Sequence, residues 1–382
     1  MCGIAGLMTR DGSPPSPRPL HDMAVALRHR GPDGEGRYRA SDVGMVQTRL
    51  AIIDLATGDQ PLYEPGGTAL IANGEIYNYL ELRDELSAEH QAAFCTQSDC
   101  EPALHLYRWY GLDFTARLRG MYAIALHDPA AGCLILARDP FGIKPLYYAE
   151  GRDAFAFASE PQALIAAGIV TPQLVCAARN EVLQMQFTTG RETVFAGINR
   201  VLPGETVVVR RGRIVERRRR EALPKGGPLP LGEEEGLARL DAVLMESVRL
   251  HQRSDVPFGM FLSGGIDSTV VLLMMARLAE RPVRAFTIGF AARDVADERP
   301  AARAAARAVG AEHIEIMFDE SDFWSLLPEI VSSVDDPAGD YAILPTWVLA
   351  RAAHETGLKV ILTGEGGDEL FAGYGRYRSA TR

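Results

Sequence analysis

The sequence predicts two halves of different class: an α+β half rich in antiparallel sheet, then an α/β half built on a parallel sheet. Three observations carry this. Hairpin signals crowd the chain as far as residue 215. A Pro/Gly-rich polar stretch, "EALPKGGPLPLGEEE", follows them. After residue 232 strands and helices alternate. The length, 382 residues, and the composition, 47% hydrophobic and 24% charged, fit two globular domains. The expected division is 1–215, a linker 216–231, and 232–382.

In chain order, "VGMVQTRLAIID" and "TALIANGEIYN" are apolar runs of β-formers. "YLELRDELSAE" carries Leu80, Leu82 and Leu86 at helical spacing between charges. "SDCEPALHLYRWYG" reads as a helix opened by a capping box, Ser98 and Glu101, and stopped at Gly111. "MYAIALHDPAAGCLILARD" is a hairpin around an Asp-Pro…Gly turn, and "PLYYAEGRDAFAFASE" is a second. "GETVVVRRGRIVERRRR" is a third, with Arg217–Arg220 guarding an exposed edge. Beyond the linker, "EEEGLARLDAVLMESVRLH", "DSTVVLLMMARLAE", "DERPAARAAARAVG" and "LPTWVLARAAHETG" read as helices. They alternate with the strands "VPFGMF", "VRAFTIGF", "EHIEIMF" and "LKVILTG".

The formal net charge of −10 makes nucleic acid a poor partner. Five cysteines (2, 95, 100, 133 and 176) form no CxxC pair, and their odd number argues against a disulfide scaffold. Cys95, Cys100, Cys133 and Cys176 read as core or near-core thiols. No signal sequence is evident, and no apolar window reaches the ~20 residues of a membrane span. The expectation is a cytoplasmic protein with no membrane partner.

"FLSGGIDST" is a buried strand, a Ser-Gly-Gly loop, an acid and a helix start. Gly264 and Gly265 let backbone amides approach a phosphate, helped by the helix N-terminus at Asp267 and Ser268. The alternative is a plain strand-to-helix turn, since no GxxxxGK[ST] is present. Asp267 favours phosphate, because an acid there calls for a bridging Mg²⁺. "LTGEGGDELFAGY" repeats the device, with Gly364, Gly366 and Gly367 among Glu365, Asp368 and Glu369. Both loops follow parallel strands, so Asp267 and Asp368 could share one Mg²⁺. A surface acidic turn is the bland alternative.

These loops, with "DDPAGDYAILPTWVLAR" upstream, resemble the synthetase domain of the glutamine-hydrolysing asparagine synthetases, within the ATP pyrophosphatase superfamily. The resemblance implies a Rossmann-like domain that uses ATP to activate a carboxylate as an acyl-adenylate. Carried over by position, Ser263, Gly264, Gly265, Asp267 and Ser268 would cradle the pyrophosphate. Leu262, Ile288, Thr363 and Gly364 would lie along the adenosine. Glu365 matches an acid beside the reacting centre, and Asp368 a Mg²⁺ ligand.

The chain opens "MCGIAG". A small residue at position 2 permits removal of Met1, which leaves Cys2 with both a thiol and an α-amine. A free α-amine titrates near 7.7–8.0, so it can serve as the base for its own nucleophile. "HRGPDGEG", "RLAIID", "NGEIYN", "SDCE" and "ARDPFGIKPLYY" follow in order. Together they resemble the class II glutamine amidotransferases of the asparagine-synthetase type. That resemblance implies an N-terminal-nucleophile αββα sandwich. By position Arg49 would hold the glutamine α-carboxylate and Asp99 its ammonium, although Asp99 also reads as a helix-start acid. Asn73 and Gly74 would form the oxyanion hole. Leu50, Ala51, Ile52, Ile53 and Glu75 would line the pocket.

The implied function is asparagine synthesis from glutamine, aspartate and ATP with Mg²⁺, with ammonia passed internally between the sites. The family also suggests a homodimer. Two other readings stay open: amidation of a different carboxylate, and a glutaminase module with a nucleotide-sensing domain. A phosphoribosyl-diphosphate loop is not found. The chain stops at "GYGRYRSATR", where the family continues into a portion carrying its active-site lysine, so a fragment is expected.

Overall fold

The computed structural model describes residues 1–291, 297–375 and 377. The last residues of the expected second domain, 378–382, lie outside them. The chain forms two compact units: Met1–Gly227 together with Val334–Gly339, and Pro228–Ser333 together with Asp340–Arg382. No helix among the described residues is long and apolar enough to cross a membrane.

The first unit holds β1 (Gly3–Thr9), β2 (Gly34–Ala40), β3 (Val43–Arg49), β4 (Leu62–Tyr63), β5 (Ala69–Ile76) and β6 (Gly120–Asp128). They are followed by β7 (Cys133–Arg138), β8 (Tyr147–Glu150), β9 (Ala154–Ala158), β10 (Ile198–Arg200), β11 (Glu205–Arg210) and β12 (Arg213–Arg219). Its helices are α1 (Pro17–Ala26), α2 (Tyr79–His90), α3 (Glu101–Tyr110), α4 (Pro161–Ala166) and α5 (Cys176–Met185).

Two six-stranded sheets result, ordered β10-β8-β9-β1-β3-β2 and β12-β11-β7-β6-β5-β4. Side chains alternate faces along each strand. Ile4, Met8, Val43, Met45, Ala69, Ile71, Ala123 and Leu136 fill the space between the sheets. The opposite parity, Ala5, Leu7 and Val46, packs on Leu20 and Met23 of α1 and Leu164 of α4. Leu70, Ala72 and Ile124 pack on Leu82 and Leu86 of α2 and Leu104 of α3. The layers are therefore α/β/β/α.

Local details depart from the sequence reading. Strand β12 pairs with β11 through Arg219, past residue 215, because the ladder continues after a bulge at Val208/Val209. No capping box forms at α3. The Ser98 hydroxyl accepts from Cys100 N–H at 3.2 Å. Glu101 instead accepts from the amides of Cys95 and Thr96, at 2.7 and 2.8 Å. Cys100 and Cys133 are buried, but Cys95 and Cys176 are exposed, one in a loop and one opening α5.

The second unit contains α6 (Glu233–His251), β13 (Phe258–Phe261), α7 (Ile266–Leu278), β14 (Arg284–Phe290) and α8 (Arg299–Val309). It continues with β15 (Glu312–Phe318), α9 (Glu320–Ser333), α10 (Ile343–Glu355), β16 (Val360–Leu362) and α11 (Gly367–Phe371). All strand pairs are parallel, in the order β15-β14-β13-β16. The chain steps outward from β13 through β14 to β15, then returns to the other side of β13. The switch point lies between β13 and β16, the place where open α/β sheets bind ligands.

Val334–Gly339 packs with the first unit. Asp336 Oδ2 accepts from Arg200 Nε at 2.9 Å and from the Tyr147 hydroxyl at 2.7 Å. Asp335 Oδ2 accepts from Gln162 N–H at 3.0 Å. Asp336→Ala removes the counterion of a mostly buried guanidinium that keeps only Glu192 O and Thr188 as acceptors. The expected loss is about 3 kcal/mol in the unfolding of the first unit, measured by denaturant titration. Glu221→Ala, which breaks the exposed pair with Lys225, should stay within about 0.5 kcal/mol.

Candidate active site

Antiparallel pairing of β1 with β3 places Gly3 opposite Thr48, so Cys2 lies beside the end of β3. The strand parities that fill the inter-sheet core continue outward to polar residues. Ile4 leads to Cys2, Val43 and Met45 to Gln47 and Arg49, and Ala69 and Ile71 to Asn73 and Glu75. One end of the sandwich is thus lined by thiol, guanidinium, amide and carboxylate.

The Cys2 thiol accepts from Leu50 N–H at 3.3 Å and faces Leu50 O at 3.6 Å. Arg30 Nε donates to Cys2 O at 3.0 Å, and Arg30 pairs with Glu160 at 2.5 Å. Burial pushes the thiol pKa up, while the Leu50 amide and the terminal amine oppose the shift. Burial lowers the α-amine of Met1 to about 6, aided by the cations of Arg30 and Lys144.

Strand β5 supplies the facing wall. Ala72 N–H donates to Gln60 Oε1 at 2.6 Å and Ile76 N–H to Asp99 Oδ2 at 2.7 Å. Alternate amides along a strand point the same way, so Gly74 N–H points off the same edge, between those two. Tyr122, its register partner on β6, turns both its amide and its carbonyl to Asp139. A Cβ at Gly74 would strike Met121 O and lie 2.7 Å from Tyr122 Cα, so glycine is required there. Asn73 is 1% exposed, and its Nδ2 has no hydrogen-bond partner. An unpaired buried amide beside a free-edge N–H is a preformed pair of donors.

Arg49 donates to Asp59 at 2.7 Å and to the carbonyls of Asp54 and Ile53, at 2.5 and 3.4 Å. Asp59 is 81% exposed, so this carboxylate can leave the guanidinium. The following segment 50–53 carries Ala51, whose N–H donates to Asp33 at 2.8 Å, and half-buried Ile52 before buried Ile53. Asp99 is buried at the start of α3, and desolvation pushes its pKa up to about 6. Burial and the Asp99 charge raise Glu75 well above the ordinary carboxylate range, against the pull of Lys144. The sequence reading gave no role to Arg30, Glu160, Asp139 or Lys144. Arg30 lies inside "HRGPDGEG", and Asp139 and Lys144 inside "ARDPFGIKPLYY".

In the second unit the expected phosphate loop joins β13 to α7. Ser263 and Ser268 hydroxyls bond at 2.9 Å, and Ser263 Oγ accepts from Gly265 N–H at 3.2 Å. Gly264 has φ +79, and a Cβ there would lie 2.6 Å from Ala302 N. The Leu262 carbonyl accepts from Thr287 Oγ1 at 2.6 Å, and half-buried Ile288 follows on β14. The loop after β16 carries Thr363, Gly364 and exposed Glu365. A Cβ on Gly364 would lie 2.8 Å from Ser268 N, and one on Gly367 would enter the Asp267 carboxylate. The two loops are thus in contact across the switch point, and Asp368 is the next residue after Gly367. Among the described residues no cluster of three or more His, Cys, Asp and Glu could hold a metal alone. Two carboxylates, Asp267 and Asp368, suit Mg²⁺, which takes one or two carboxylates plus phosphate oxygens and water.

The raised Asp99 pKa has a consequence for stability. A carboxyl whose folded pKa exceeds its unfolded value stabilises the fold below the unfolded pKa. That contribution is lost as pH rises through about 6. Asp99→Asn should abolish this dependence between about pH 4 and 6. It should also stabilise the ligand-free first unit at pH 7 by on the order of 2 kcal/mol, measured by denaturant titration across pH.

Residues 1–219 match the glutamine amidotransferase domain family, and residues 239–382 the asparagine synthase family. The chain is 40% identical to a putative glutamine-hydrolysing asparagine synthetase of Mycobacterium tuberculosis, over 99% of this chain and 61% of that protein. It is 37% identical to the glutamine-hydrolysing asparagine synthetase 1 of Bacillus subtilis, over 99% of this chain and 60% of that one. A Penicillium rubens protein named amidase chyE is 32% identical over 99% of this chain and 60% of its own length. The chain spans about three-fifths of these relatives. With both domain families matched in order along its length, the chain belongs to the glutamine-hydrolysing asparagine synthetase family.

Proposed function

We propose that the chain performs glutamine-dependent, ATP-driven amidation of aspartate to asparagine. The observation that supports this best is the unpartnered Asn73 amide next to the edge amide of Gly74, on the wall facing Cys2. Removal of Met1 frees the α-amine of Cys2. That amine takes the thiol proton while Sγ attacks the carboxamide carbon of glutamine. Negative charge develops on the carbonyl oxygen, where Asn73 Nδ2 and Gly74 N–H donate to it. The amine returns its proton to the leaving nitrogen, ammonia departs, and water hydrolyses the thioester to glutamate. Arg49 takes the α-carboxylate in place of Asp59. Asp99 takes the α-ammonium, with Glu75 beside it, and the incoming cation restores both acids to their charged forms.

In the second unit Ser263, Gly264, Gly265, Asp267 and Ser268 would hold the pyrophosphate portion of ATP. Leu262, Ile288, Thr363 and Gly364 would lie along its adenosine. Asp267 and Asp368 would hold Mg²⁺, which supplies charge neutralisation at the phosphates. The β-carboxylate of aspartate attacks the α-phosphorus near Glu365, giving β-aspartyl-AMP and pyrophosphate. Ammonia then displaces AMP.

One reaction with glutamine, aspartate and Mg-ATP tests the proposal. Glutamate, AMP and asparagine should rise in step, with AMP dependent on aspartate; AMP that ignores aspartate points to another acceptor. Cys2→Ala should abolish glutamate release and leave ammonia-dependent synthesis. Asn73→Ala should lower glutaminase kcat by about 10²–10³ with a smaller change in KM. Asp267→Asn should slow aspartate-dependent ATP–pyrophosphate exchange.

A further inference from the structure

The loop between β7 and β8 is clamped from both ends. Asp139 is 0% exposed, and its carboxylate accepts from the backbone amides of Phe141, Ile143 and Lys144, each at 3.0 Å. Arg138, the preceding residue, donates to the carbonyls of Lys144, Gly142 and Val201, each at 2.7 Å. A carboxylate and a guanidinium, adjacent in sequence, thus pin six residues of backbone. Lys144 is buried in this loop, 5% exposed, while Phe141 and Ile143 face outward at 62% and 56%. Its ammonium lies 3.2 Å from the thioether of Met1 and, among the described residues, makes no salt bridge with a carboxylate. A buried ammonium donating to a soft sulfur is an expensive arrangement for stability alone. Met1 is also the residue that leaves when Cys2 becomes the chain terminus.

We infer that Lys144 is a positioning residue of the glutaminase site: once Met1 is gone, its buried positive charge adds to desolvation in disfavouring the protonated α-amine of Cys2, which leaves that amine able to act as base. The inference rests on the proposed role of Cys2. The charged and titratable groups around the α-amine of Met1, one residue before that of Cys2, are the Cys2 thiol, Arg30 from the turn after α1, Lys144, and Glu75 of β5. Those facing Lys144 are Glu75, Arg30, Cys2 and Asp139. Arg30 and Lys144 disfavour the protonated amine, whereas Glu75 favours it. Lys144 also favours the charged form of Glu75, so its removal takes away one cation and lets Glu75 protonate, the first effect raising the amine and the second partly offsetting it.

The test is Lys144→Met, close in volume and uncharged, with Lys144→Arg as the charge-retaining control. Mass spectrometry first establishes that Met1 is absent from each protein. Two readouts follow: the acid limb of the glutaminase kcat–pH profile, and the pH dependence of α-amine acetylation, followed on the N-terminal peptide. Lys144→Met should move both upward by about one pH unit. Turnover should therefore fall about tenfold below the limb and stay near wild type above it, with KM for glutamine unchanged. Its thermal midpoint should not fall, since a buried charge is removed. Lys144→Arg should keep both limbs near wild type. Coincident acetylation curves for wild type and Lys144→Met would overturn the inference while leaving the role of Cys2 intact. Absence of glutaminase activity in the wild-type protein would instead refute the role of Cys2, and the acetylation curves would still decide whether Lys144 sets the amine.

Discussion

Everything at the N-terminal site follows from the two-residue period of the β-strand, imposed on two sheets packed face to face. Residues of one parity must fill the space between the sheets, and they do so with aliphatic and aromatic side chains for most of the strand length. At one end the same parity delivers Cys2, Gln47, Arg49, Asn73 and Glu75. The site is the polar end of a dry core. Its geometry is fixed by the register that fixes the core, because a one-residue slip would turn every inward side chain outward.

That position explains the electrostatics. The carboxyls of Glu75 and Asp99 are raised, and the terminal amine is depressed, chiefly because little water reaches them. Asn73 carries an amide donor with no partner. Each arrangement costs folding free energy in the empty protein and is relieved by a ligand with a carbonyl oxygen and an ammonium. The core around them, with Ile4, Ile71 and Ala123 fully buried, supplies the stability that lets such strain persist.

Much of the fold was legible because its signals are local. Helix α6 runs over the residues its periodicity predicts, and the three hairpins form in the stretches read as hairpins. Helices α1, α4 and α9 carry prolines at their starts or interior, which disguise them as loops. At α3 the sequence of a capping box was present, but Glu101 found better partners in a loop it packs against. Cys95 and Cys176 are exposed for the same reason: their surroundings are set by tertiary packing, not by neighbours in sequence. In the first unit the site residues carried over by resemblance fall on β3 and β5, in the segment 50–53, and just before β1 and α3. Arg30 and Lys144 escaped notice because only the assembled sandwich brings a turn and a clamped loop to the chain start.

The packing of Val334–Gly339 into the first unit bears on how the protein is made. A ribosome that has just completed β12 has released a sandwich in which Arg200 and Tyr147 still lack the carboxylate of Asp336. That carboxylate emerges only after α6, β13, α7, β14, α8, β15 and α9 have been synthesised, on the order of ten seconds later at ordinary elongation rates. The first half of the gene therefore does not encode a finished first half of the protein. Its maturation is timed by translation of the second, and a message broken between the two yields a unit with a charged gap where six late residues belong.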